Sequence, residues 1–540
     1  METVITAAAP LSQLCGSQVS HLNEPSYSSI LAFPPELLAK IVANTLDPPA
    51  LVDPIFNPSG NAMELLNISH VSSFFRQVTV GEPALWAMAP YLNAVHQDFL
   101  ETILERSQPY TFNLSFMEDG SLTEDDQIWR LALSHFHRVS RLHIEAMVVS
   151  EGDLLVSLFS KSAPSLTECI IQFFGNRTVA LCDLSSHPFN DDAPNLRKLD
   201  LTNCSVRVRH YPAFAALRDV TVVHLVDEVQ HDDRTLLPID DFIQCRNKLN
   251  SLQSLTLHSC IQDPDPESST RLSSQDSIYL PSLKHFVLKS TIDGCHGLGK
   301  ILRLPETCSR SITVTFPLHW EPEQLGDAVR AAEAVASFIP SLEYTVCAGG
   351  IRGSVPSMRL FIAGQRYPTV TIRFGISAPD AHPDMDLFLL QVGRGLASTL
   401  ATPLSTIKFL HMHLDGVKTS LVGYLLRPLI KIMKNLEEFV AQGPDVWANG
   451  TIVWILDYSI APNLKKLRVP LDDMMHSAAA LRGTAQFLLV RPEIREVTFG
   501  VSPSITEEMG HAASDGIRCL IRDVSKDFPG SLVLDWIELQ

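Results

Sequence analysis

An amphipathic helix is predicted close to the start of the chain. Its apolar residues recur at intervals of one, three and four, which places them along one side of a helix: Leu37, Leu38, Ile41, Val42 and Leu46. Pro34 and Pro35 suit the first turn, where a backbone N–H has no helical partner, and Glu36 complements the positive end of the helix dipole. An apolar stripe of this width needs a cover, which is either the protein's own core or a partner.

A second pattern, Leu-x-x-Leu-x-Leu, recurs further along the chain. Clear copies start at Ala163, Ala193, Leu249, Leu280, Met433 and Ala461, and weaker copies start at Val139, Pro403 and Arg491. The last two apolar side chains of each copy share one face of a strand, because strand side chains alternate with a period of two. A single unit cannot bury that face alone, so neighbouring units must stack. The pattern predicts an α/β fold with a curved parallel sheet, and it leaves the number of units open between residues 300 and 400.

Composition narrows the possible partners and the compartment. The formal net charge is −18, and no dense Lys/Arg cluster is present, which argues against nucleic acid or an anionic membrane as a partner. Ten cysteines are scattered without a C-x-x-C pair, as expected for reduced thiols rather than a disulfide framework or a zinc site. Neither a signal-peptide pattern nor an apolar run of about 20 residues appears. A cytoplasmic and/or nuclear protein is predicted.

One glycine-rich stretch has the spacing of a phosphate-binding loop, Gly294-Cys-His-Gly-Leu-Gly-Lys300. Ile301 occupies the Ser/Thr position that would hold magnesium, and Pro305 interrupts the helix that should face the phosphates. A connection between repeats is therefore the favoured interpretation over nucleotide binding.

Two histidine pairs, His135-x-His137 and His411-x-His413, would each place two imidazoles on one strand face. Neither pair has a third ligand nearby in the sequence, so exposed polar positions of the sheet are favoured over a metal site. No motif of an established catalytic class is present. We predict a protein that is not an enzyme and has no catalytic residue, cofactor or metal.

The N-terminal segment resembles the F-box domain in four successive stretches. These are Phe33–Leu46, Leu65–Arg76, the Glu82-Pro-Ala-Leu-Trp86 ending common in the F-box proteins of mushroom-forming fungi, and Phe99–Ser115. The resemblance covers roughly residues 30 to 117. The sequence departs from the F-box pattern at Phe33, where leucine is usual, at Phe74 or Phe75, where tryptophan is common, and in a Pro-rich insertion from Asp47 to Ala62.

The resemblance implies the substrate-recognition subunit of an SCF-type cullin–RING ubiquitin ligase, acting in ubiquitin-dependent protein degradation. In that family the F-box binds a Skp-type adaptor, which binds a cullin, and the C-terminal repeats hold a target protein. The residues that the resemblance assigns to the adaptor contact are Phe33, Pro34, Leu37, Leu38, Ile41, Val42, Leu66, Val71 and Phe75. The alternative is an F-box-derived repeat scaffold for protein–protein interaction that no longer joins a ligase.

The predicted organisation has four parts. Residues 1–30 form a disordered tail, residues 31–92 a small all-α F-box-like domain, and residues 93–135 a helical and strand connection. Residues 136–540 form a degenerate leucine-rich-repeat solenoid. The sequence does not identify the target protein.

Overall fold

The structure is a computed structural model. It describes residues 30, 33–46, 60–88, 96–122, 127–149, 157–174, 179–180, 187–205, 212–225, 236–239, 243, 249–262, 277–315, 330, 333, 338, 346–354, 357–364, 370–375, 385–415, 419–442, 461–471, 483–484, 486–491, 493–501, 522 and 531–533. The predicted tail, apart from Ile30, lies outside these residues, as do residues 47–59 of the predicted insertion. The last residues of that insertion, from Gly60, belong to a helix.

Helices dominate the first part of the chain. They are α1 (Pro35–Thr45), α2 (Gly60–Val71), α3 (Ser73–Gly81), α4 (Pro83–Ala87), α5 (Gln97–Arg106) and α6 (Gln127–Ser134). Local signals set their starts: Pro35 and Pro83 occupy first turns, and Ser72 caps α3 by accepting a hydrogen bond from the Phe75 N–H at 3.3 Å. Helix α1 packs against α3 and α4, α2 packs against the same two helices, and α4 packs against α5.

Later helices lie between strands. They are α7 (Ile292–Ile301), α8 (Met385–Thr399), α9 (Ala401–Ser405) and α10 (Thr419–Ile432), with short 3₁₀ turns at Phe136–Arg138, Pro188–Asp191 and Pro212–Phe214. The chain thus alternates between strands and helical connections, as the α/β prediction requires.

The described strands number twenty. They are β1 (Phe112–Leu122), β2 (Val139–Val149), β3 (Glu168–Phe173), β4 (Val179–Ala180), β5 (Lys198–Thr202), β6 (Cys204–Ser205), β7 (Asp219–Val223), β8 (Ser254–His258), β9 (Ile278–Tyr279), β10 (His285–Ser290), β11 (Leu302–Arg303), β12 (Ser309–Thr315), β13 (Val346–Ser354), β14 (Ser357–Gly364), β15 (Val370–Gly375), β16 (Phe409–Asp415), β17 (Glu438–Gln442), β18 (Lys466–Leu471), β19 (Glu496–Val501) and β20 (Ser531–Val533).

Sixteen of these strands form one sheet. Its order is β1-β2-β3-β5-β7-β8-β10-β12-β15-β14-β13-β16-β17-β18-β19-β20, while β4 pairs with β6 and β9 with β11 in two small sheets. Neighbouring strands of the large sheet are parallel except at β14, which is antiparallel to both β13 and β15. The parallel sheet predicted from the repeated pattern is therefore confirmed. It begins at β1, inside the stretch 93–135 that the sequence analysis assigns to a connection.

The six clear copies of the repeated pattern make the same turn before their strands, whereas the weaker copy at Val139 lies wholly within β2. The N–H of the first template leucine donates to the carbonyl three residues earlier, as from Leu196 to Ala193 at 3.1 Å and from Leu464 to Ala461 at 3.3 Å. The Leu-x-Leu side chains then enter the core in register across the sheet. One such row contains Ile144, Ile171, Leu201, Val222, Leu257, Leu288 and Ile312, all of them buried. Stacking thus covers the face that one unit leaves open.

Two buried side chains fix the N-terminal part of the structure: Trp86 joins helices to one another, and Arg138 joins α5 to the start of the sheet. The Trp86 indole N–H donates to the Thr79 carbonyl at 2.7 Å, and its ring meets Phe99 of α5 edge-on with centroids 6.4 Å apart. Arg138, at the start of β2, donates to the carbonyls of Leu104 at 2.9 Å and Tyr110 at 2.7 Å. The packed core consequently runs from Val42 in α1 through the helices into the sheet.

Candidate protein-interaction site

Helix α1 carries apolar side chains on two adjoining sides, one buried and one exposed. Leu38 is fully buried in a small cluster with Ala39 and Val78, on which Phe74 and Phe75 pack. Val42 and Leu46 enter the large core. One side of the predicted stripe is therefore covered by the protein itself.

The other side of α1 carries exposed apolar residues. Leu37 and Ile41 are spaced by four and follow one another along α1, and Phe33 lies just before the helix begins. Phe33, Leu37 and Ile41 are 41%, 50% and 41% exposed. Ile30 precedes them, is 45% exposed, and accepts a backbone hydrogen bond from Phe33 at 3.3 Å. We call Ile30, Phe33, Leu37 and Ile41 the α1 apolar row. Single exposed apolar residues are normal, whereas a contiguous set of large ones marks an interaction surface.

The remaining predicted contact residues fall into different environments. Pro34 is exposed beside the α1 apolar row, and Val71 is 67% exposed at the end of α2. Leu66 and Phe75 are half-buried. Of the nine predicted residues, the structure thus places five on the surface and two partly on it, while Leu38 and Val42 lie in the core and cannot touch a partner directly. Ile30 was not among the predicted contact residues, and it joins the set because it is exposed and hydrogen-bonded to Phe33.

Trp86 has a structural role. It is fully buried, with the Arg106 guanidinium 4.7 Å from its ring centroid in addition to its contacts with Thr79 and Phe99. This burial gives Trp86 an anchoring role and keeps it from contacting a partner.

The solvent face of the sheet carries charges that neutralise one another. Glu168 on β3 accepts from Arg141 on β2 at 3.1 Å and from Lys198 on β5 at 2.6 Å. The same alternation recurs near the other end, where Lys466 on β18 lies 2.7 Å from Glu496 on β19. Partly exposed pairs of this kind contribute little to stability, about 1 kcal/mol or less each. They give the face a polar character without a strong net charge.

Two titratable groups on this face have shifted pKa values. Burial raises the pKa of the Asp200 carboxyl above its usual value, with Lys198 opposing and Glu168 reinforcing the shift. Burial also lowers the pKa of His143, whose Nε2 lies 3.9 Å from Glu145. Because structural charge networks produce such shifts, they do not by themselves indicate catalysis.

The described cysteine thiols are buried. Burial raises the pKa of Cys308 to about 11, and it raises the pKa values of Cys169, Cys204 and Cys260 further. A thiol needs a lowered pKa and access to act as a nucleophile, and these have neither.

The glycine-rich stretch is not a loop, and the first histidine pair is not on a strand. Residues 294–300 lie within helix α7, whose Gly294 N–H is capped by the Thr291 hydroxyl at 3.1 Å, so the glycines do not form a phosphate-binding loop. His135 and His137 do not share a strand face, because Phe136–Arg138 is a 3₁₀ turn. His411 and His413 do lie on a strand, β16.

The described ranges hold neither a metal-binding cluster nor a membrane-spanning helix. No group of three His, Cys, Asp or Glu side chains there is arranged to hold a metal ion. Among the described helices, none combines the length and the hydrophobicity needed to cross a bilayer.

Comparisons with known proteins leave the family open. No protein-family model matches the chain, and no curated protein matches it either.

Proposed function

We propose that this chain is the non-catalytic substrate-recognition subunit of an SCF-type cullin–RING ubiquitin ligase. In this proposal residues 31–92 are an F-box-like domain that binds a Skp-type adaptor, and the stacked units are degenerate leucine-rich repeats that hold a target protein. The observation that supports it most is the α1 apolar row, because Leu37 and Ile41 are exposed on the helix that resembles the first F-box helix and Phe33 is exposed just before it. Large apolar side chains of this kind dominate the energy of interfaces.

The structure also supports different roles for the two sides of α1, one in packing and one in binding. Leu38 and Val42 hold the helix onto the rest of the protein, so the exposed side stays fixed in one orientation. A preorganised surface loses little conformational freedom when it binds. In the proposal, the contact set is therefore Ile30, Phe33, Pro34, Leu37, Ile41 and Val71, with partial contributions from Leu66 and Phe75.

The mechanism of such a subunit is proximity rather than bond chemistry. A target held on the repeats has its lysines at a high effective concentration near the conjugating enzyme that the cullin–RING part recruits. The proposed site of action is the cytoplasm or nucleus, where buried free thiols such as Cys169 and Cys204 stay reduced.

The rival function is a repeat scaffold derived from an F-box protein that does not join a ligase. The departures from the F-box pattern at Phe33 and Phe75 favour it, because both residues belong to the predicted contact. In this rival the α1 apolar row binds a different protein or a second copy of the chain.

Titration of the full chain with a Skp-type adaptor from the same organism tests the proposal. Isothermal titration calorimetry is expected to show one adaptor per chain with a dissociation constant of about 1 μM or below, as is common for specific interfaces of standard size. A negative heat-capacity change is expected because apolar surface is buried. Absence of binding by a chain that is folded by circular dichroism would leave the scaffold as the better function.

A further inference from the structure

Three basic side chains and one glutamine lie in a row at the N-terminal ends of four neighbouring strands. The residues that immediately precede β5, β7, β8 and β10 are Arg197, Arg218, Gln253 and Lys284. Their backbones are linked directly: Arg218 donates to the carbonyl of Arg197 at 2.7 Å, Gln253 to Arg218 at 2.6 Å, and Lys284 to Gln253 at 2.7 Å. We call this set the basic edge. Because neighbouring strands lie about 4.8 Å apart, it is about 14 Å long.

The charges of the basic edge are available to a partner. Arg197, Arg218 and Lys284 are exposed, and neither arginine has an ion-pair partner among the described residues. Within the described part of the chain, the contact of the Lys284 ammonium is a neutral one, 3.4 Å from the Gln253 amide oxygen. The nearby cations Arg141 and Lys198 differ, since both are paired with Glu168. Three cations without a described acidic partner thus lie together in a chain whose net charge is −18.

We infer that the basic edge binds an acidic, extended segment of a partner protein. In an extended peptide, side chains on the same side are about 6.6 Å apart, so two or three carboxylates at alternate positions span the edge. Arginine suits this ligand because its planar guanidinium forms paired hydrogen bonds with a carboxylate. A nucleic acid is disfavoured, because three cations neutralise few phosphates and the overall charge of the chain repels a long polyanion.

The basic edge is separate from the surface proposed to bind the adaptor. Binding of an acidic segment does not depend on the proposed function, but identifying that segment as part of a degradation target rests on it. The basic edge and the α1 apolar row contain different residues on different elements. Substitutions in one can therefore be examined without altering the other, and the two proposals can fail separately.

Fluorescence anisotropy with a labelled peptide tests the inference. The probe is a peptide of about 12 residues that alternates Glu and Ser, compared with the same peptide carrying Gln in place of Glu. The full chain is expected to prefer the Glu peptide, and the preference is expected to weaken as salt is raised from about 50 to 150 mM. Arg197→Glu with Arg218→Glu is expected to reduce the affinity about tenfold or more.

A matched control keeps the change in net charge constant. Lys300→Glu with Lys431→Glu alters two exposed lysines at the ends of α7 and α10, and this pair is expected to leave peptide affinity within about twofold of the unchanged chain. Equal losses from both double variants would overturn the inference, because binding would then reflect total charge alone. No preference for the Glu peptide, or equally tight binding of a single-stranded DNA of similar length, would also overturn it. Adaptor binding is expected to be unaffected in both double variants.

Discussion

Replacing Leu37 and Ile41 together by aspartate is expected to weaken adaptor binding at least about a hundredfold while leaving the fold intact. Both side chains are about half exposed and lie on the side of α1 that faces away from the protein's core. Fully burying a leucine or isoleucine side chain contributes about 1.5–3 kcal/mol, and 1.4 kcal/mol corresponds to a factor of ten in affinity. The measurement is a calorimetric titration with the adaptor, beside circular dichroism and thermal unfolding.

Two control variants separate an interface from a core. Leu38→Asp places a charge in a fully buried position next to Val78, so it is expected to unfold the N-terminal helices, at a cost of several kcal/mol. Leu489→Asp makes the same chemical change at a residue that is 75% exposed near the other end of the chain, and it is expected to change neither stability nor binding. A Leu37→Asp/Ile41→Asp protein that binds normally would show that the α1 apolar row is not the contact surface.

Replacing Arg138 by methionine is expected to lower the free energy of unfolding by about 2–4 kcal/mol. The guanidinium is buried and donates to the Leu104 carbonyl at 2.9 Å, the Ser107 hydroxyl at 2.8 Å and the Tyr110 carbonyl at 2.7 Å. Methionine has similar bulk but no donor, so these buried acceptors would lose their partner. Leu104 lies in the last turn of α5, and Ser107 and Tyr110 follow that helix. Losing the hydrogen bonds from Arg138 therefore weakens the packing between α5 and the start of the sheet.

The matched control for this prediction is Arg141→Met, three residues further along the chain, on strand β2. Arg141 is about half exposed and pairs with Glu168 on the surface, so its replacement is expected to cost about 1 kcal/mol or less. The comparison is a urea titration followed by tryptophan fluorescence, since buried Trp86 and Trp129 lie in the helices beside this joint. Equal effects of the two substitutions would contradict the role given to Arg138.

The elements themselves could be predicted from the sequence because their patterns are local. The spacing from Leu37 to Leu46 predicts α1, and copies such as Ala193–Leu201 predict both the turn and the strand of a unit. Which side of α1 is buried could not be predicted in this way. Leu37 and Leu38 are adjacent and chemically identical, and only the packing of α3 against α1 decides that Leu38 is inside.

Three other features depend on contacts between distant parts of the chain. Arg138 looks like a surface residue in the sequence, and its burial follows from carbonyls that lie 28 and 34 residues earlier. Strand β14 carries no repeat template, and it enters the sheet antiparallel between β13 and β15 where the copies become sparse. The basic edge is similar: Arg197, Arg218 and Lys284 are scattered in sequence and become neighbours only when their strands stack.

The most direct test of the central proposal is co-elution of the full chain with the Skp-type adaptor and the N-terminal part of its cullin. Size-exclusion chromatography with light scattering would give the mass of the assembly. A single peak with one copy of each protein, which loses the chain when Leu37 and Ile41 are replaced by aspartate, is the predicted result. A folded chain that elutes apart from the adaptor–cullin complex would contradict the proposal.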